Sequence, residues 1–310
     1  MITRDDINAA ADRINGYVRR TPVMSVAGAD FNLGFDIDLK LELFQHTGSF
    51  KARGAFNSLL QGNIPPAGVV AASGGNHGAA VAYAASQLGI PARIFVPESA
   101  GATKIGLTRA TGADLEVVPG FYSDAFTASE AYRARTGAVS IHAYDAPATL
   151  AGQGTVGREI ELQIPDLNVL LVAVGGGGLI GGITSWFADR VKIVAVEPEA
   201  APTLAAALRD GPDTQVDVGG VAANSLGARQ IGRLSHQICS ENAVQSILVS
   251  DDAITAAQKL LWDQARIAAE PGGAAALAAL TSGAYQPPPD ARVTVLVCGG
   301  NLDPSPLCGP

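Results

Sequence analysis

What most constrains this chain is an alternation along its length. Short runs of Val, Ile and Leu are separated by Ala- and Gly-rich stretches long enough for helices. The apolar runs fall at Val69 to Ala72, Arg93 to Val96, Leu115 to Val118, Val139 to His142, Val169 to Val174, Ile193 to Val196 and Val293 to Val297. Most carry no polar residue at every second position. A strand with one wet face alternates; a strand covered on both faces does not, and parallel strands are of the second kind. Helices are expected between them, over Gly78 to Leu88, Thr103 to Thr111, Asp124 to Thr136, Ala148 to Gln163, Leu179 to Asp189, Asp251 to Ala268 and Gly273 to Leu280. Strand and helix in alternation predict an α/β fold with mostly parallel sheets flanked by helices. Ser250, followed by Asp251 and Asp252, is the expected N-cap of its helix.

Bulk properties narrow the function classes. The 310 residues suffice for two compact domains or one large α/β unit. With 47% apolar and 16% charged residues, the chain is not a disordered one. A net charge of −8 and the lack of any basic run argue against nucleic acid as a partner. Cys239, Cys298 and Cys308 have no C-x-x-C spacing, so a zinc site or disulfide framework is not expected, and reduced thiols in a cytoplasmic enzyme are. The opening MITRDDINAAADRI lacks the apolar core of a signal peptide. Residues 167–188 carry no charge over a length that could cross a bilayer. Six of them are glycine, four consecutive, which predicts strand, loop and helix inside a core and no membrane span. The residues after Asp303 read as an irregular tail.

Four segments carry candidate chemistry. In Gln45-His46-Thr47-Gly48-Ser49-Phe50-Lys51-Ala52-Arg53-Gly54-Ala55, a lysine sits among small and apolar residues. Burial there would lower its pKa and free a neutral amine to attack a carbonyl. Ser73-Gly74-Gly75-Asn76-His77-Gly78 joins a strand to a helix, where backbone N–H groups and the helix N-terminus favour an anion such as a carboxylate; a plain βα turn is the plainer reading. Val174-Gly175-Gly176-Gly177-Gly178-Leu179 is a backbone-lined cup suited to phosphate. The same segment also fits a dinucleotide fingerprint, Gly176-x-Gly178-x-x-Gly181 with Glu197 ending the next strand, and on its own it favours neither. Val297-Cys298-Gly299-Gly300-Asn301 places a thiol at a strand end, which a structural buried cysteine would also explain.

Taken together, Thr47-Gly48-Ser49-Phe50-Lys51-Ala52-Arg53-Gly54-Ala55 resembles the Schiff-base lysine motif of fold-type II pyridoxal-phosphate (PLP) enzymes, and nearly the whole chain resembles their serine/threonine dehydratase (threonine ammonia-lyase) family, which is tryptophan synthase beta-like. Thr21-Pro22-Val23, Ala151-Gly152-Gln153-Gly154-Thr155 and Glu270-Pro271-Gly272-Gly273-Ala274 match further landmarks of that family. The resemblance decides the glycine segment for PLP and implies the following roles. Lys51 carries pyridoxal 5′-phosphate and serves as α-proton base. Gly175, Gly176, Gly177, Gly178 and Leu179 cradle the phosphate, Phe50 packs near the ring, and Asn76 meets the ring 3′-hydroxyl. Ser73, Gly74, Gly75, Asn76, His77 and Tyr144 surround the substrate, with His77 in a structural part rather than as a metal ligand. Cys298 lies beside the pyridine nitrogen, where a thiol, a weak hydrogen-bond partner, does not hold that nitrogen protonated; this suits β-elimination.

The resemblance also implies a two-domain architecture, with a small domain over residues 69–143 inserted in a large PLP-binding domain of residues 1–68 plus 144–310. A homodimer acting on a small amino acid is expected, in the cytoplasm. The implied reaction is β-elimination of the hydroxyl of L-threonine or L-serine, giving a 2-oxo acid and ammonia. Other readings are dehydration of 3-hydroxyaspartate or a phenylserine-like substrate, serine racemisation and, more distantly, NAD-dependent oxidoreduction. Against racemisation, Gly74 stands where racemases carry their second acid/base serine, and Tyr144 where they tend to carry Asn. A divalent-cation site of some relatives pairs a Glu like Glu197 with an acid six positions on; Thr203 occupies that place, and no metal is expected.

Overall fold

The apolar runs become strands sealed on both faces: every residue of Val169–Ala173 and Val293–Val297 is buried. A computed structural model describes residues 1–120 and 122–303. Cys308 and the tail after Asp303 lie outside the described residues. The strands are β1 (Val23–Val26), β2 (Ile37–Leu41), β3 (Val69–Ala72), β4 (Ala92–Pro97), β5 (Asp114–Val118), β6 (Val139–Ser140), β7 (Val169–Ala173), β8 (Lys192–Pro198), β9 (Gln245–Val249) and β10 (Val293–Val297). They form a six-stranded sheet in the order β1-β2-β10-β7-β8-β9 and a four-stranded sheet in the order β5-β4-β3-β6. All pairings are parallel except β1 with β2, so the chain has the expected α/β class with helices flanking parallel sheets.

This topology gathers the candidate segments. The loop of Asn76 follows β3, the glycine quartet follows β7 and Cys298 follows β10, all at the carboxyl ends of parallel strands, where open α/β sheets bind ligands. The four strands of the smaller sheet lie within residues 69–140. Its core nevertheless takes in Ile14, Ala52, Ala55, Phe56 and Leu59 from earlier in the chain. The helix that begins at Lys51 (Lys51–Gln61) therefore packs against the helix Asn76–Leu88 of the smaller sheet and the helix Pro147–Gln163 of the larger.

Three strands, β1, β2 and β9, escape a reading based on apolar runs. In β2, Asp38 and Lys40 interrupt the pattern, yet all five residues are buried. Asp38 accepts from Arg292 Nε at 2.9 Å. Lys40 Nζ donates to Glu159 Oε1 at 2.5 Å, to the Thr21 carbonyl at 2.9 Å and to Gln163 Oε1 at 2.8 Å. The network continues through Arg53, which forks onto Glu42 with Nε at 2.8 Å and Nη2 at 2.7 Å, and reaches Glu159 at 3.0 Å. Two buried cations thus meet two carboxylates, a balance that a buried charge needs. β6 stops at Ser140, short of His142, because the chain turns there: His142 Nδ1 accepts the backbone N–H of Asp145 at 2.8 Å. The helix Asp251–Ala265 ends before Ala268 at Arg266, which is left-handed with φ 54°. Its predicted cap forms, Ser250 Oγ accepting from Ala253 N at 3.2 Å. Residues 167–188 resolve into β7 and the helix Gly178–Phe187, and among the described residues no helix is long and apolar enough to cross a membrane.

Candidate active site

Lys51 opens its helix directly after a turn whose two residues, Thr47 and Gly48, both have positive φ, 61° and 73°. The turn aims the lysine into a cleft between the two sheets' ends. Its amine donates to the Ala143 carbonyl at 2.8 Å and stands 5.2 Å from the centre of the Phe50 ring. Burial pulls its pKa from 10.5 down to about 8, against the opposing influence of Cys298 and Glu270. The reason is the one the sequence suggested: small and apolar neighbours deny the ammonium its water.

The cleft encloses about 490 Å³ of empty space, part of it open to solvent. Phe50, Lys51, Asn76, Tyr144, Gly175 to Gly178, Leu179 and Cys298 all line it, so residues from five separate segments converge there. The glycine quartet opens the helix Gly178–Phe187, with Gly177 in the left-handed region at φ 92°. A side chain in the quartet has nowhere to go. A Cβ on Gly176 would overlap the Tyr144 ring, one on Gly178 would come within 2.9 Å of Tyr144 Cα, and one on Gly177 within 2.7 Å of Ser235 Cβ. The first-turn N–H groups of such a helix lack intrahelical partners and face the cup. Lys51 is the basic residue among those lining the cleft.

Cys298 is buried and donates its thiol hydrogen to the Gly272 carbonyl at 3.3 Å. Burial, then the charge of Glu270, push its pKa up, so it stays a thiol. Tyr144 lies edge-on to His142, and burial, with Tyr122 and Asp145 adding to it, raises its hydroxyl to about 12. Ser73, Gly74 and Gly75 form the turn before Asn76 and are not among the lining residues. Ser73 Oγ accepts the Gly75 N–H at 3.2 Å. His77 points away from the cleft: its Nε2 is 2.7 Å from the Ile141 carbonyl, and burial together with the charge of Lys51 pulls its pKa down to about 3. It ties the Asn76 helix to the end of β6 as a neutral ring.

The site fits a phosphorylated aldehyde cofactor on observations of its own. It offers a desolvated amine and an anion cup that side chains cannot enter. It fits a dinucleotide less well. Glu197, which that reading needs free at its strand end, is buried and committed: it accepts from Leu204 N at 2.6 Å, Ala205 N at 2.8 Å and Ser246 Oγ at 2.6 Å. It caps the helix Thr203–Asp210, and Thr203 Oγ1 donates to the Ala228 carbonyl at 2.7 Å.

Sequence reasoning gave no site role to seven residues of the cleft and its wall. Ala173, Ile180, Ser225, Leu226, Glu270 and Gly272 line it, and Asn301 contacts Asn76. Glu270 and Gly272 stood in the landmark Glu270-Pro271-Gly272-Gly273-Ala274 without a role of their own. Ser225 and Leu226 belong to a four-residue helix with no motif to mark it.

A family model for pyridoxal-phosphate dependent enzymes matches residues 14–299. L-threonine ammonia-lyase of Thermotoga maritima is 35% identical over 308 residues, which are 98% of this chain and 76% of that protein. Phenylserine dehydratase of Ralstonia pickettii is 35% identical over 309 residues, covering 97% and 94%. Among solved structures, maize serine racemase matches with a TM-score of 0.90 at 33% identity, over 99% of this chain and 96% of that one.

Proposed function

This chain belongs to the family of pyridoxal-phosphate-dependent enzymes, as a lyase with pyridoxal 5′-phosphate for its cofactor, and we propose that it is a dehydratase that eliminates the β-hydroxyl of L-threonine or L-serine. Lys51 would hold the cofactor, Gly175 to Gly178 and Leu179 its phosphate, and Asn76 the ring oxygen, with Phe50 and Cys298 around the ring. When bound, the cofactor supplies the electron sink that acidifies the substrate Cα–H and lets a β-substituent leave.

The remaining work falls to this chain's own groups. With a pKa of about 8, the Lys51 amine is neutral in about a tenth of molecules at pH 7, far more than an ordinary lysine. Released to the cleft, that amine takes the substrate α-proton as general base. Cys298 directs its hydrogen to the Gly272 carbonyl, so it would have none to give a ring nitrogen held against it, which suits β-elimination.

The observation that carries elimination over racemisation is Gly74. Racemisation needs a second proton donor on the face opposite the lysine. Gly74 has no side chain, and a Cβ there would come within 2.5 Å of Ala100 Cβ, so the wall is closed to a serine unless residues 98–100 shift. A second reading, dehydration of an aromatic 3-hydroxy amino acid, is favoured by the Tyr144 ring in the cleft and by the phenylserine dehydratase relative. The test is a kinetic comparison of L-threonine, L-serine, 3-hydroxyaspartate and phenylserine, with the product identified. A 2-oxo acid and ammonia from threonine or serine, without accumulation of the D-amino acid, is the expected result. D-serine formed as fast as pyruvate would overturn it, and a higher kcat/KM for phenylserine would move the reading to the aromatic substrate.

A further inference from the structure

We propose that Asn301 is a positioning residue that fixes which end of the Asn76 amide faces the cofactor and joins that choice to the turn that presents Lys51. The inference rests on the reading that Asn76 meets the cofactor ring. It starts from a group whose polarity is never ambiguous. The Thr47 backbone carbonyl can only accept, and Asn301 Nδ2 donates to it at 2.7 Å. The same nitrogen's second hydrogen goes to Asn76 Oδ1 at 2.8 Å. Asn76 must then turn its oxygen towards Asn301 and its nitrogen towards Glu270, whose Oε1 accepts at 2.5 Å. A side-chain amide is symmetrical in shape and free to flip where nothing polar decides. Here a flip of Asn76 would set oxygen against carboxylate and nitrogen against nitrogen. One N–H of Asn76 remains for the cleft that the residue lines.

The surroundings are cleared for this relay. Gly48 tolerates no side chain, since a Cβ would overlap Asn301 Oδ1, and a Cβ on Gly299 would overlap Glu270 Oε1. Thr47 is β-branched yet sits at φ 61°, in the left-handed region that disfavours L-residues. It persists because its carbonyl is held by Asn301 and the next one, of Gly48, by Gly300 N at 2.9 Å. Ser49 and Gly299 form an antiparallel bridge, and Phe50 N donates to the Cys298 carbonyl at 3.2 Å. The strand end that brings Cys298 to the ring therefore also grips the lysine turn, and Asn301 extends that grip across to the smaller sheet's helix.

The test is a double-mutant cycle on cofactor affinity, read by titrating apoenzyme with pyridoxal 5′-phosphate and recording the visible absorbance of the bound form. Asn301→Asp keeps the shape but removes both donors. It should raise the cofactor Kd at least tenfold and shift the absorbance band, and Asn301→Ala should do likewise. In an Asn76→Ala background, either substitution should change Kd by less than twofold. If Asn301→Asp leaves Kd and spectrum at parental values, or if the two effects multiply in the double variant, Asn301 does not act through Asn76. Should Asn301→Ala fail to fold, Asn301→Ser keeps one donor and carries the same cycle with a smaller first step; a first step that persists undiminished in the Asn76→Ala background sinks the relay. An Asn76→Ala variant with unchanged Kd would instead remove the reading on which the relay rests.

Discussion

Two cations on one helix, Lys51 and Arg53, are both withdrawn from water and meet opposite fates. Arg53 forks onto Glu42 and reaches Glu159, and although burial opposes its charge, the two carboxylates raise its pKa. Lys51 has a backbone carbonyl as its hydrogen-bond acceptor, and burial lowers its pKa to about 8. Burial with matched carboxylates makes a structural clasp; burial with a neutral acceptor makes a reactive amine. The clasp at Arg53 pins the lysine helix to the turn Glu42–Phe44 after β2 and to the helix Pro147–Gln163, so the amine two residues away is held in place without an ion pair of its own.

The contrast can be broken first at its reactive side. Lys51→Ala should lower turnover by about 10⁴-fold or more, since anchor and base leave together, and should abolish the absorbance band near the visible edge. Lys51→Met apoprotein should nonetheless be at least as stable as the parent to denaturant, because a desolvated cation has been replaced by an apolar chain. Arg53→Ala should do the reverse. Leaving Glu42 buried without its partner should cost about 3–5 kcal/mol of stability, read from the shift of the urea midpoint. Equal destabilisation by the two substitutions would erase the distinction. A smaller effect probes the turn before Asn76: Gly74→Ala should cost about 1–3 kcal/mol through its clash with Ala100, and Ala100→Gly should relieve it. Additive losses in that pair would show that the clash is not what closes this position to a side chain.

How much of this was legible in the sequence follows the same division. The glycine quartet, Lys51 and the strands β3, β7 and β10 could be read because apolar continuity and consecutive glycines are local signals. The clasp could not. Asp38 and Lys40 make β2 look like a surface strand, and their burial depends on Arg292 and Glu159, more than a hundred residues away. β9, of sequence Gln-Ser-Ile-Leu-Val, is a half-exposed edge strand with little apolar pattern. Asn301 and Glu270 stood inside recognised motifs, but their tie to Asn76 exists only once β3 and β10 bring their loops together. His77 lay beside Asn76 in the sequence and yet turns to the Ile141 carbonyl, since helical rotation sends successive side chains to different faces.

The most direct measurement is the pH dependence of pyridoxal 5′-phosphate capture by the apoenzyme. The neutral amine is the reactive form, so below its pKa the rate should rise about tenfold per pH unit. With the Lys51 pKa at about 8, the rise should flatten above pH 8. A rate that still climbs tenfold per unit through pH 9 and 10 would mean an ordinary, solvated lysine, and would contradict the account of burial without an ion pair.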